Sequence, residues 1–169
     1  ATVTKKEDEL FVDFTGTSPQ CKGAIQPVFA TTKAVVYAAL KTMLGNEIPN
    51  TSGYFRPVTI TAPEGTFVNP ILPAPVAART LGLIRIVNAV FGAFAQMAPD
   101  TVYAACAGSD LGLGMAGYDK SKVPWKPWVL LEFHNEPGRG GFPDRDGHDG
   151  VAAGIVNQAN IPVETIEAE

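Results

Sequence analysis

At 169 residues, with 46% hydrophobic and 18% charged, the chain is sized and composed for one folded domain with a sizeable core. Its formal charge of −4 is mild, and its 13 lysines and arginines form no stripe that could follow a phosphate backbone, so nucleic acid is set aside as a partner. Two cysteines are too few for a disulfide framework, and 17 glycines with 14 prolines demand many turns.

Ala1–Thr4 and Leu10–Phe14 are β-rich runs flanking Lys5–Glu9, a charged cluster that predicts a hairpin turn. Leu10, Val12 and Phe14 share one face of the second strand, and Phe11 and Asp13 share the other. Thr15–Gly23, with Gly16, Ser18, Pro19 and Gly23, is expected to be loop. Pro27 supplies a helix start. Val28, Val35, Val36, Ala39, Leu40 and Met43 then recur at helical spacing, with Lys33 and Lys41 off that stripe and Gly45 as the stop.

Pro49–Arg56 reads as loop, and Arg56–Ala62 as a strand alternating Val58, Ile60 and Ala62 with Thr59 and Thr61. Pro63–Pro75, with Gly65 and repeated prolines, interrupts regular structure. From about Ala77 to Ala98 a long helix is expected, hydrophobic on nearly every side and suited to an interior or a large interface. Leu83, Val87, Val90, Phe91 and Phe94 are its candidate core. Arg85, Asn88 and Gln96 interrupt it, so it is not read as a membrane span. Thr101–Ala107 and Trp128–Phe133 predict strands, and Gly108–Gly117 and Gly138–Gly150 glycine-rich loops. Val151–Val156 reads as a further short strand, and Asn157–Glu169 as loop or a helix start.

The fold class expected is α+β: a mixed or antiparallel sheet, one amphipathic helix and one long buried apolar helix. Residues 1–169 form a single domain without internal repeats. A start at Ala1 and a stop at Glu167–Glu169 with no capping or tail signal read as an internal piece of a longer chain. With no signal peptide at this start, the cytoplasm is the default.

Gly112-Leu-Gly114-Met-Ala-Gly117 matches the dinucleotide pattern GxGxxG by letter, but its mechanism needs a helix N-terminus to hold the pyrophosphate. Tyr118–Pro127, with two prolines and three lysines, cannot supply one, so a loop is the better account. Asp144-Arg-Asp146-Gly-His148-Asp149-Gly150 invites a metal reading. A calcium loop wants glycine sixth and glutamate twelfth, where Asp149 and Ile155 stand, so a solvated acidic turn is favoured and no metal is assigned. Ser18, Ser52, Ser109, Ser121, Cys21, His134 and His148 offer nucleophiles and bases, but none lies in a Gly-x-Ser-x-Gly elbow. Cys106, in the apolar run Val102–Ala107, reads as a buried free thiol. Trp125-Lys-Pro-Trp128 suits a pocket, a subunit contact or the core.

Val12-Asp-Phe-Thr-Gly-Thr-Ser-Pro-Gln20 resembles the Asp-Phe-Ser-Gly-Thr-Ser-Pro-Gln motif of the hydantoinase B/oxoprolinase family. Asn50-Thr-Ser-Gly53-Tyr-Phe-Arg56-Pro57 and Pro63-Glu-Gly65-Thr-Phe-Val-Asn69-Pro70 follow in family order, continuing through Pro73-Ala-Pro75-Val76. Asp149-Gly150, Asn157 and Ile161-Pro162-Val163-Glu164 are similar to its late elements. Gln26 stands where relatives usually carry asparagine, and Thr15 and Thr66 where they carry serine. The family's metal-bearing N-terminal part has no counterpart in these residues. The resemblance implies an ATP-dependent enzyme that opens cyclic amides such as hydantoins or 5-oxoproline, or carboxylates ketones in the acetone carboxylase branch. It also implies a hydantoinase A-like, ATP-binding partner subunit, the remainder of the hydantoinase B-like subunit, and any divalent metal outside this segment. This chain would bind no cofactor itself, and would shape the substrate chamber and subunit contacts. A non-catalytic assembly module of the same fold is the rival reading, and the substrate stays open.

Asp13 and Arg56 are the candidate catalytic residues. The loop after Asp13 offers Thr15, Thr17 and Ser18 hydroxyls and the Gly16 N–H, and Arg56 is expected to meet the Asp13 carboxylate in a planar two-point contact. The competing account is that this cluster only caps the loop.

Overall fold

The alternation of Leu10, Val12 and Phe14 with Phe11 and Asp13 sends the first set to one side of a sheet, and the rest of the fold gathers on that side. The computed structural model describes residues 1–45, 47–106, 111–135 and 138–150. β1 (Thr2–Lys6) turns back into β2 (Glu9–Asp13), antiparallel, with Thr2 opposite Asp13 and Lys6 opposite Glu9. The chain then passes through α1 (Phe29–Leu44) and α2 (Ser52–Phe55) before β3 (Val58–Thr61) returns parallel to β2. The order β1-β2-β3 therefore makes a mixed sheet, and the domain is α+β as expected.

Val12, Phe14, Val58 and Ile60 point inward, where they meet Val35, Val36, Ala39 and Leu40 of α1. α3 (Arg79–Met97) completes the same core with Ile86, Val87, Val90, Phe91 and Phe94. Thr59 and Thr61 face solvent on the sheet's other side. This is a two-layer domain, one sheet face under two helices.

α1 begins two residues beyond Pro27. Val28 is extended, and its carbonyl accepts the N–H groups of Thr31 and Thr32, so it does the capping that a side chain often does. The buried Thr32 hydroxyl donates to the Val68 carbonyl at 2.7 Å, fixing the first turn of α1 to the segment after β3. Gly45 ends the helix at φ 82, a conformation that favours glycine.

α3 is less enclosed than its composition suggests. Leu83 is only partly buried, and Leu81, Arg85, Ala89, Gly92 and Gln96 line an exposed stripe. In a two-layer domain a helix on the outer layer keeps one side in water. Gly82 is required by contact: a Cβ there would lie 2.4 Å from the Ile25 carbonyl oxygen. Among the described residues no helix is long and apolar enough to cross a membrane.

Four other expectations are corrected. Pro49–Arg56 contains the single-turn α2, and Arg56 caps that helix instead of opening the strand. Thr101–Ala107 does not begin as a strand: a 3-10 turn at Pro99–Thr101 leads into irregular chain through Cys106. Its neighbour there is the loop around Gly140, where a Cβ would sit 2.0 Å from the Ala104 oxygen, and the Ala104 N–H donates to Gly141. The described part of Gly108–Gly117 is strand, not loop. β4 (Leu111–Asp119) pairs antiparallel with β5 (Lys126–Asn135), which contains the expected Trp128–Phe133 strand. Glycine is tolerated in β4 because Gly117 faces Trp128, whose ring lies where a Cβ would come within 3.0 Å. Finally, Trp125 and Trp128 are exposed and belong to no core. Val151–Val156 and Asn157–Glu169 lie outside the described residues.

Candidate functional site

Because β2 and β3 are parallel, their C-terminal ends emerge on one edge, and that edge carries two of the sequence motifs. Asp13 stands opposite Thr61. Its Oδ1 accepts the Thr61 hydroxyl at 2.8 Å, the Thr15 hydroxyl at 3.0 Å and the Thr15 N–H at 3.2 Å. The Thr61 hydroxyl first, and then Thr15, hold the Asp13 carboxyl below its usual value. The acid therefore clamps two strand ends and the first turn of the loop, leaving Oδ2 without a partner among the described residues.

Beyond Asp13 the two loops are stitched together. The Ser18 carbonyl accepts the Phe67 N–H at 2.9 Å, and the Gly65 carbonyl accepts the Gln20 N–H at 2.8 Å. The Gln20 side chain holds Ile71 at both backbone groups, donating at 3.1 Å and accepting at 2.8 Å. Thr17 donates to the Phe14 carbonyl at 2.7 Å, and Asn69 to the Ala62 carbonyl at 2.9 Å. Gly16 and Gly65 take φ 85 and 75, which the turns require. Gln26, fully buried, accepts the Cys21 N–H and donates to the Cys21 and Pro75 carbonyls, closing the base of the platform. Motifs about fifty residues apart thus form one rigid surface. The sequence pointed to Asp13, Thr15, Thr17 and Ser18; it missed Thr61, whose role depends on a parallel register that no local pattern shows.

Arg56 is elsewhere. It follows α2 at the start of β3, where the Pro57 carbonyl accepts the Leu10 N–H at 2.8 Å. Asp13 is three residues further along the paired strands, a distance of about 10 Å at strand rise before the Arg56 offset is added. The two make no ion pair with each other. Parallel pairing is the reason: it puts the head of β3 at the opposite end of the sheet from the tail of β2.

The end that holds Arg56 has its own feature. Asn50, Tyr54 and Phe55 face Ala34, Tyr37, Ala38, Lys41 and Thr42 of α1 across an open groove of about 410 Å³. The Tyr37 ring lies 4.6 Å from Phe55 and 6.4 Å from Tyr54 between centroids. The Tyr54 hydroxyl donates to the Tyr37 carbonyl at 2.7 Å, and the Lys41 ammonium sits 5.8 Å from the Tyr54 ring while donating to the Ile48 carbonyl. Burial first, and the neighbouring Tyr37 second, push the Tyr54 phenol up to about 12, so it is a neutral donor at physiological pH. Sequence reasoning passed over Tyr37 and Lys41 because they lie off the apolar stripe of α1.

The remaining motifs offer no cofactor cradle among the described residues. Gly112–Gly117 lies in β4 and is followed by the hairpin partner β5, not by a helix that could hold a pyrophosphate, so these residues do not fit a nucleotide. Asp144 engages the adjacent Arg145 at 3.0 Å, and among the described residues no three His, Cys, Asp or Glu side chains converge on a metal-sized space.

Taken together, these elements define an α+β domain whose organised feature is a pair of knitted signature loops at one end of a parallel strand pair. The chain belongs to the hydantoinase B/oxoprolinase family, which it matches over residues 1–169. It is 35% identical to a protein of Pseudomonas sp. (strain NS671) provisionally named as the B-type subunit of a D-/L-hydantoinase, over 98% of this chain but 28% of that protein. An ATP-dependent caprolactamase from Pseudomonas jessenii shares the fold, with a TM-score of 0.73 at 24% identity, over 98% of this chain and 29% of the other. A nucleotide-free acetone carboxylase shares it with a TM-score of 0.76 at 16% identity, over 98% and 22%. The chain therefore spans less than a third of each of these proteins.

Proposed function

We propose that this chain is a segment of a hydantoinase B-type subunit of an ATP-dependent enzyme that opens cyclic amides, and that it shapes the substrate chamber and subunit contacts. The observation that carries this reading is the family match along the whole chain. The provisional hydantoinase name of the Pseudomonas relative supports the cyclic amide, and the caprolactamase, itself ATP-dependent, shares the fold. ATP then belongs on a hydantoinase A-like partner, any divalent metal belongs outside this segment, and the assembly works in the cytoplasm. The chemical logic is activation: phosphoryl transfer from ATP to the amide oxygen would make the ring carbon electrophilic enough for water to add. The C–N bond would then break with the ring nitrogen leaving as the amine, and hydrolysis of the resulting acyl phosphate would release carboxylate and phosphate. The platform around Asp13 contributes a wall to the chamber, with Asp13 as a positioning residue that takes up the Thr15 and Thr61 donors and so sets the turn that carries Gly16 and Ser18. Arg56 acts separately, at the groove end.

The test is an assay of the natively assembled protein, isolated through a tag on this chain. ATP turnover should rise with hydantoin or 5-oxoproline. Turnover with acetone and bicarbonate alone would place the protein in the ketone carboxylase branch, and turnover with neither would leave an assembly module. Asp13→Asn should lower turnover at least tenfold, about 1.4 kcal/mol of barrier, while the assembly still forms. Full activity in that variant would reduce the platform to a structural loop.

A further inference from the structure

The described part of the β4–β5 hairpin exposes large apolar side chains on both faces. Met115, Trp128 and Leu130 lie on one face, and Tyr118 and Val129 on the other, all of them exposed. Val123 and Trp125 at the tip are 96% and 57% exposed. Each strand has one neighbour, so among the described residues both outer edges of the two-stranded sheet are unpaired. A lone hairpin of this kind is marginal in water, and a continuous apolar patch on it marks a contact surface.

The tip also has a sign. Lys120, Lys122 and Lys126 surround the apolar residues, and the Lys120 ammonium sits 5.0 Å from the Trp125 ring. The acid beside them, Asp119, is turned inward onto the Ser121 N–H at 3.0 Å and hydroxyl at 2.6 Å. The arm therefore presents large apolar side chains within a ring of cations. Its complement is an apolar cleft rimmed by carboxylates.

We infer that the β4–β5 arm inserts into such a cleft on the remainder of the hydantoinase B-type subunit. The inference rests on the functional reading above. Two observations favour this occupant. The region equivalent to this chain is 28% of the Pseudomonas relative and 29% of the caprolactamase, so most of each polypeptide lies outside it, available to cover the arm. A second copy of this chain is disfavoured, because a two-fold contact through the tips would set lysines against lysines. An arm apolar on both faces suits a permanent contact inside a subunit better than a transient encounter.

The test places the photo-crosslinking residue p-benzoylphenylalanine at position 123, a site with no packing role in the body, in the natively assembled protein. Irradiation should link it to hydantoinase B-type sequence outside the matched region, identified by mass spectrometry of the linked peptide. Lys120→Glu, Lys122→Glu and Lys126→Glu together should cut that link at least tenfold, with the circular dichroism of the chain unchanged. Links to a second copy, links to the ATP-binding subunit or no link would overturn the inference while the functional reading stands. Native material in which this chain is neither joined to nor accompanied by further hydantoinase B-type sequence would overturn both. A link that survives the triple substitution at full yield would refute the charge complementarity on which the choice of cleft rests.

Discussion

The body and the arm of this protein use the same kinds of residue to opposite ends. In the body, Val12, Val36, Val87, Val90 and Phe94 are each almost wholly withdrawn from water, and the sheet and two helices pack their apolar faces on one another. In the arm, residues of equal size and hydrophobicity stand in solvent on both sides of a two-stranded sheet. Burial of apolar surface is the main favourable term in folding, so the body carries the stability of the chain and the arm adds little to it alone. An exposed set of large apolar side chains beside a well-packed core is the sign of a surface meant for something else.

That contrast is open to attack by substitution. The largest effect is expected at Phe91, 2% exposed and 4.9 Å edge-on from Tyr103. Phe91→Ala should cost about 3–5 kcal/mol by removing the ring and leaving a cavity. Chemical denaturation of the isolated chain measures it, and an unchanged midpoint would remove the claim that α3 is central to the core. An intermediate effect is expected at Asp13. Its folded pKa is depressed by Thr61 and Thr15, so its contribution is present above the unfolded carboxyl pKa and is lost as pH falls through the folded one. Asp13→Asn should therefore be the less stable protein at neutral pH and converge with the parent in acid. Parallel stability curves across the acid range would show that the clamp does not stabilise the fold. The smallest effect belongs to the arm: Val129→Thr should change the stability of the isolated chain by less than about 0.5 kcal/mol.

Much of the body was legible in the sequence because its signals are local. The period-two run Leu10–Phe14, the helical stripe through Val35, Val36, Ala39 and Leu40, and the Val58/Ile60 alternation each predict an element and its inward face. The Asp13 loop was legible as a cluster of small donors. What the sequence hid depends on partners distant along the chain. The parallel register that joins Asp13 to Thr61 also separates it from Arg56, and neither residue carries a local sign of that pairing. Gly114 and Gly117 looked like loop because glycine weakens a strand; only the Trp128 ring lying across Gly117 explains why one is kept there. Thr101–Cys106 failed in the opposite sense. Its strand-like residues pack against the glycines of the 138–150 loop and, among the described residues, pair with no strand.

If the body stands by itself while the arm waits for a cover, amide hydrogen exchange should separate the two when the isolated chain is measured beside the native assembly. In the isolated chain, amides of β2, α1 and α3 should exchange at rates set by global unfolding, and those of residues 114–130 should exchange far faster. In the assembly, residues 114–130 should slow by at least tenfold while the body is unchanged. Protection of 114–130 equal to that of α3 in the isolated chain, or no added protection on assembly, would contradict this division of the molecule.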